Sequence, residues 1–140
     1  MIPVIDFNSE TVLDEIREAY TTVGFAVFTN TLNNQDQQTM HHWFDYMKQF
    51  FELDLDTKKK YSYQAENNLG YSVMGAENVD PTAPKDMKES FNYNNTRMPD
   101  ALWPEEVDLR TTGLETIRIA DDLTLRILAK FDTILDCGTT

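Results

Sequence analysis

The sequence is poor in the residues that form disulfide bonds or usually bind metal ions. Its 140 residues include one cysteine, Cys137, and two histidines, the neighbours His41 and His42. A single cysteine excludes an intramolecular disulfide and favours a reducing compartment. There is also no basic-then-apolar leader before Ile2 and no run of eighteen apolar residues. We therefore expect a soluble cytoplasmic protein that does not span a membrane.

Positive charge is scarce as well. Twelve lysines and arginines stand against twenty-four aspartates and glutamates, which gives a net charge of −12. Such a surface repels phosphate backbones and anionic lipids, so we expect neither nucleic acid nor membrane as a partner. The acidic residues are spread along the chain, which favours a solvated surface.

Motifs that carry chemistry are missing too. The sequence has no nucleophile elbow, no phosphate-binding loop and no dinucleotide fingerprint, and Cys137 has no histidine close in sequence. His41 and Asp45 are four apart and could share one face of a helix, which would supply two metal ligands. The alternative, two exposed helix histidines, is the interpretation we favour, because structural zinc needs four ligands. We predict no catalytic residue and no metal ligand in this chain.

What the sequence does contain is a short apolar run, Gly24–Asn30, rich in aromatic and β-branched residues. This composition predicts a buried strand, and the run Ile2–Phe7 predicts a second strand. Between them, apolar residues recur at helical spacing, and Gly24 is placed to end that helix. The predicted helix face consists of Leu13, Ile16, Ala19, Tyr20 and Val23.

The next segment carries the broadest apolar stripe of the chain, which predicts a largely covered helix. The stripe consists of Met40, Trp43, Phe44, Met47, Phe50 and Phe51. A short helix capped by Asp54 or Asp56 follows and includes Lys58, Lys59 and Lys60. Three consecutive lysines are compatible with an anion site, but a solvated helix end is the interpretation we favour.

Residues 61–104 show weak periodicity and several glycines and prolines, which predicts an irregular segment with short strands near Tyr71–Met74 and Ser90–Tyr93. Structured loops of this length are often functional, although a packed linker is the alternative. A helical stripe of about six turns then predicts a long helix at about 111–136, with Gly138 as its stop signal.

The order of these motifs resembles the start of an iron(II)/2-oxoglutarate-dependent dioxygenase, in the branch that includes isopenicillin N synthase and the flavonoid and gibberellin oxidases. The matching segments are Ile2–Phe7, Gly24–Asn30, Phe50-Phe51 with Tyr61, Gly70-Tyr71 with Gly75, Asp86–Phe91 and Leu102–Pro104. Two positions depart from the family pattern. Thr31 replaces a usual histidine, and Asp54 replaces a usual proline.

The resemblance implies an α+β fold in which an N-terminal helical segment with short strands flanks a double-stranded β-helix, or jelly-roll barrel. Residues 1–140 would form this N-terminal domain, and the barrel itself would be missing. In such enzymes the barrel provides a His-x-Asp pair, a distant histidine and an Arg-x-Ser. Here Trp43 and Phe44 occupy the third positions after His41 and His42, so the chain has no His-x-Asp. Fe(II) and 2-oxoglutarate are thus implied for the full-length enzyme only, and we expect this chain alone to be inactive.

The resemblance also implies that this segment contributes side chains to the rim of a substrate pocket. Carried over to this sequence, the rim residues are Asn68, Tyr71, Ser72, Ser90 and Tyr93. A packing role is the alternative for Tyr71 and for the neighbouring Phe91.

Two main hypotheses follow. In the first, the chain is the non-catalytic N-terminal part of a small-molecule oxygenase, truncated or split before the iron site, and its partner is the missing jelly-roll domain. In the second, it is an interaction module derived from such an oxygenase that pairs with a separate chain. A plain helical domain is a third option. Without a barrel, we expect Ile2–Phe7 and Phe25–Thr29 to expose apolar faces, so that the chain self-associates or is poorly stable.

Overall fold

The computed structural model describes residues 1–76, 82, 84–94 and 97–136. These residues form an α+β fold of short strands and helices, as the sequence predicts, and within them no closed barrel is present. The chain divides into two compact units, which are Met1–Gln38 with the chain from Arg118 onward, and Thr39–Ile117. Cys137 and Gly138 lie outside the described residues.

The first unit is built on a strand–helix–strand arrangement. Strand β1 (Val4–Asp6) pairs in parallel with β2 (Val27–Thr29), and helix α1 (Val12–Thr22) connects them. Gly24 has φ +80 and its amide donates to the Ala19 carbonyl, so it ends the helix in the left-handed conformation that the sequence predicts. Both strands are shorter than the runs Ile2–Phe7 and Gly24–Asn30 from which they were predicted.

One face of this parallel pair is covered and the other is exposed. Ile5 is buried with Val12, Ile16 and Ala19 of α1, and Phe28 packs against the same cluster. The prediction that Gly24–Asn30 is a buried strand is therefore wrong, because only alternate side chains of a strand reach the core. Tyr20 and Val23 of the predicted helix face are 40% and 42% exposed.

The outward side chains of these strands form what we call the outer strand face. Val4 and Val27 are register partners and are 65% and 49% exposed. Ile2 and Phe25 precede them with the same alternation and are 52% and 67% exposed. Four large apolar side chains thus remain in contact with solvent on the described part of this unit.

The second unit contains most of the aromatic residues. Helix α2 (Asn34–Glu52) contributes Trp43 and Phe50 to its core, together with residues from the loops and from helix α4 (Leu109–Leu135). The core cluster consists of Trp43, Phe50, Tyr61, Tyr71, Phe91, Trp103, Val107 and Leu109. The expectation that the stripe of α2 is largely covered is wrong at Phe44, which is 65% exposed.

Two further elements position the polar residues discussed below. Helix α3 (Leu55–Lys59) begins at Asp54, whose carboxylate accepts a hydrogen bond from the Thr57 amide at 2.9 Å, as predicted. Strands β3 (Gly70–Ser72) and β4 (Ser90–Asn92) pair antiparallel. The long helix α4 runs from Leu109 to Leu135, against a predicted range of 111–136.

Candidate functional site

The β3–β4 pair sorts the predicted rim residues by face. Its register places Tyr71 opposite Phe91, and Ser72 opposite Ser90. Because directly opposite residues of an antiparallel pair share a face, Tyr71 and Phe91 enter the aromatic core together. Ser72 and Ser90 project from the other face of the pair.

Two neighbouring depressions lie on the second unit. The first, which we call the asparagine depression, has a volume of about 410 Å³ and is lined by Asn67, Asn68, Leu69, Phe91, Asn92, Tyr93, Asn94 and Arg97. The second, the serine depression, has a volume of about 490 Å³ and is lined by Tyr63, Asn68, Ser72, Ala76, Lys88, Ser90 and Asn92. Asn68 and Asn92 separate the two.

Four of the five predicted rim residues therefore lie at these depressions. Ser72 and Ser90 line the serine depression, Tyr93 lines the asparagine depression, and Asn68 lines both. Tyr71 lines neither depression; it is only 2% exposed and belongs to the core, which is the packing alternative.

Asn68 is held by its backbone and by its side chain. It adopts φ +60, a left-handed conformation that asparagine tolerates better than most residues. Its Oδ1 accepts hydrogen bonds from the Tyr63 hydroxyl at 2.9 Å and from the Asn92 Nδ2 at 3.3 Å. These two bonds fix the ridge between the depressions.

Tyr93 is held by aromatic packing. Its ring centroid lies 4.8 Å from that of Trp43 and 5.8 Å from that of Trp103. Gly113 leaves room for these rings, since a Cβ there would come within 2.9 Å of Trp43 and 3.2 Å of Tyr93. Burial raises the pKa of the Tyr93 hydroxyl, which therefore remains a neutral hydrogen-bond donor at neutral pH.

A buried ionic cluster lies beneath the β3–β4 pair. The Lys58 ammonium donates to Glu89 Oε2 at 2.8 Å and to the Phe51 carbonyl at 2.9 Å, and the Tyr71 hydroxyl donates to the same glutamate oxygen. Burial raises the pKa of Glu89, but the hydrogen bonds from Lys58 and Tyr71 outweigh it and leave that pKa below the usual value. Burial and the Glu89 carboxylate raise the pKa of Tyr71.

The prediction that the three lysines form a solvated helix end is wrong at Lys58, which is 7% exposed. A similar but more exposed cluster forms around Lys60. Glu106 accepts from the Tyr61 hydroxyl at 2.7 Å and from the Lys60 ammonium at 3.2 Å. The Tyr61 bond is the main reason that the pKa of Glu106 lies below its usual value. Both clusters satisfy their own charges and serve packing.

The histidines do not form a metal site with their neighbours. His41 and His42 are both exposed on α2, as the favoured interpretation has it. Among the described residues, no group of three or more histidine, cysteine, aspartate or glutamate side chains could hold a metal ion. The fit to a non-haem iron, which requires two histidines and a carboxylate on one face, therefore fails in this part of the chain. No described helix is long and apolar enough to cross a membrane.

Sequence reasoning missed several residues of the site. Lys58 and Glu89 are 31 positions apart, so only the fold reveals their pairing. Asn92 and Arg97 line the asparagine depression, and the only sequence signal for them was the cluster of asparagines around Tyr93.

Comparisons with known proteins give a consistent result. Residues 2–108 match the family described as the N-terminal region of the non-haem dioxygenase in morphine synthesis. A crystal structure of a full-length Neurospora crassa oxygenase in complex with alpha-KG (2-oxoglutarate) superposes with a TM-score of 0.73 and 25% sequence identity. The superposition covers 96% of this chain and 47% of that protein, so the chain spans about half of its length. No curated protein matches the sequence.

Proposed function

Because the chain belongs to the family of non-haem dioxygenase N-terminal regions, we propose that it is the substrate-facing, non-catalytic half of an iron(II)/2-oxoglutarate oxygenase that acts on a small molecule. The observation that carries the proposal is the family match over residues 2–108, together with the coverage of 96% of this chain and 47% of the similar oxygenase. In this proposal a jelly-roll barrel provides the iron and 2-oxoglutarate ligands.

The failed metal fit supports this division of labour. The described residues provide no iron-binding face, so no step of the oxidation is assigned to them. Their role is to bind and orient: Asn68, Ser72, Ser90 and Tyr93 line two polar depressions that would form part of the substrate rim. When bound to the barrel, the iron would activate dioxygen while 2-oxoglutarate is converted to succinate.

The outer strand face supports the proposed docking of a barrel. Val4 and Val27 lie side by side on paired strands, and β1 and β2 form a sheet of only two strands, whose edges remain open among the described residues. Large exposed apolar patches on soluble domains commonly mark interaction sites. The same face supports the second hypothesis, in which a separate chain provides the covering surface.

The test joins the chain to the polypeptide encoded directly downstream, or co-expresses it with a neighbouring barrel-encoding frame, and measures iron-dependent succinate production. We expect turnover with the barrel and none with the chain alone. Val27→Lys should weaken assembly and lower turnover, because it places a charge on the outer strand face. Met87→Lys is the matched control, since Met87 is 84% exposed in the other unit. Turnover by the chain alone would refute the proposal.

A further inference from the structure

Arg97 differs from the other arginines in its surroundings. Four of the five arginines form ion pairs, which are Arg17–Asp14 at 3.4 Å, Arg110–Asp100 at 2.8 Å, Arg118–Asp36 at 3.1 Å and Arg126–Asp122 at 3.0 Å. Arg97 has no carboxylate within ion-pair distance among the described residues. In a chain with twice as many acidic as basic residues, an arginine without an acidic partner at the edge of a depression is available to a ligand.

The asparagine depression around Arg97 is suited to an anion. Its eight lining residues include no aspartate or glutamate. The Arg97 amide donates to Asn94 Oδ1 at 2.7 Å, which positions the residue at the rim. A guanidinium presents several donors in a planar fork that matches the two oxygens of a carboxylate.

Further donors and an apolar surface complete the depression. The Oδ1 of Asn68 is occupied by Tyr63 and Asn92, so its Nδ2 remains as a donor without a bond to any described residue. The neutral Tyr93 hydroxyl likewise has no hydrogen bond within the described part of the chain. Leu69 and Phe91 contribute apolar lining beside these polar groups.

We propose that the asparagine depression binds a small organic carboxylate, with Arg97 gripping the carboxylate and Leu69 and Phe91 contacting the apolar body. This inference rests on the proposed function and names its substrate class: the substrate of the assembled oxygenase carries a carboxylate, and Arg97 determines that specificity. The net charge of −12 disfavours polyanions, so a single carboxylate is the ligand we expect.

The test is a titration of the ¹⁵N-labelled full chain with benzoate and with benzamide at constant ionic strength. The two probes have nearly the same shape and differ in the charge of the head group. We expect benzoate to shift the Asn68 and Asn92 side-chain amide signals and the Arg97 Nε signal, and benzamide to bind about fivefold more weakly or not at all.

Variants separate Arg97 from general charge effects. Arg97→Gln should weaken benzoate binding about fivefold, and Arg97→Lys should fall between the two because a lysine keeps the charge but loses the fork. Arg17→Gln removes the same charge from an exposed ion pair and should leave binding unchanged. Equal binding of the two probes, or equal effects of Arg97→Gln and Arg17→Gln, would overturn the inference.

The titration needs no turnover, so its outcome is independent of the succinate assay. Loss of succinate production with the barrel, combined with intact Arg97-dependent benzoate binding, would reject the proposed function and keep the carboxylate site. Succinate production without Arg97-dependent binding would reject the site and keep the proposed function.

Discussion

At the residue scale, the stability of the second unit depends on how Lys58 is neutralised. Lys58 is 8% exposed in its side chain and Glu89 is 22% exposed, so the pair is largely shielded from water. Two acceptors satisfy the ammonium, and Glu89 accepts from both Lys58 and Tyr71. A shielded charge whose partner is removed is costly, whereas an exposed pair contributes little.

Glu89→Gln tests this difference. We expect it to lower the free energy of unfolding by about 2–3 kcal/mol, because Lys58 then faces a neutral amide in a largely buried site. Asp14→Asn, which breaks the exposed Arg17–Asp14 pair, should change the same quantity by less than about 0.5 kcal/mol. Urea unfolding followed by tryptophan fluorescence measures both. Equal effects of the two variants would contradict the account.

The same glutamate predicts an acid limb of stability. The hydrogen bonds from Lys58 and Tyr71 outweigh burial and keep the folded pKa of Glu89 below the ordinary value of 4.5. The unfolded chain therefore binds the proton first, and stability is lost as the pH falls from about 4.5 through the folded pKa. Glu89→Gln should flatten this limb in urea unfolding at a series of pH values. An unchanged limb in the variant would assign it to other carboxylates.

Residue-scale prediction from the sequence succeeded where the signal was local and failed where it was not. The Asp54 cap and the left-handed Gly24 depend on neighbours within five positions and were predicted correctly. The three lysines have identical local signals, yet Lys58 is buried because a glutamate 31 positions away meets it. No periodicity encodes that pairing.

At the element scale, strand β3 depends on a close approach of two backbones. Gly70 has φ +100, and a Cβ there would lie 2.8 Å from the carbonyl oxygens of Tyr61 and Ser62. The Tyr71 amide donates to the Tyr61 carbonyl at 2.7 Å, and the Tyr63 amide donates to the Tyr71 carbonyl at 2.8 Å. Only glycine allows this hydrogen-bonded contact at position 70.

Gly70→Ala should therefore destabilise the chain more than Gly24→Ala. Both positions have positive φ, which costs a side chain about 1–2 kcal/mol, but nothing lies within 4 Å of a Cβ at Gly24. The backbone clash at Gly70 adds about 1–3 kcal/mol to its variant. Thermal unfolding of the two variants measures the difference. A Gly24→Ala variant as unstable as Gly70→Ala would contradict this explanation.

The strands also show why element prediction stopped short. Gly24–Asn30 is apolar nearly throughout, which is typical of a strand covered on both faces, but the pairing of Val4 with Val27 leaves one face exposed. Helix α4 follows its predicted stripe only in part, since Leu128 and Leu135 are 52% and 65% exposed. A hydrophobic pattern records which side chains seek cover, and it does not record which chain provides the cover.

At the scale of the whole molecule, the outer strand face determines how the isolated chain behaves. Val4, Phe25 and Val27 expose large apolar surfaces beside the open edges of a two-stranded sheet. We expect the isolated chain to self-associate in sedimentation velocity experiments, in a manner that increases with protein concentration. Val27→Lys should shift it toward the monomer, and Met87→Lys should not. A monomeric wild-type chain at all accessible concentrations would refute the prediction.

The central claim is that these residues form a scaffold half and that the oxidising centre belongs to other polypeptide. Its most direct test is equilibrium dialysis of the purified chain against Fe(II) and 2-oxoglutarate under anaerobic conditions, followed by a succinate assay on admission of oxygen. The account predicts no stoichiometric iron binding and no succinate from the chain alone, and both from the chain joined to its barrel. Stoichiometric iron binding by the chain alone, abolished by His41→Ala or His42→Ala, would contradict it.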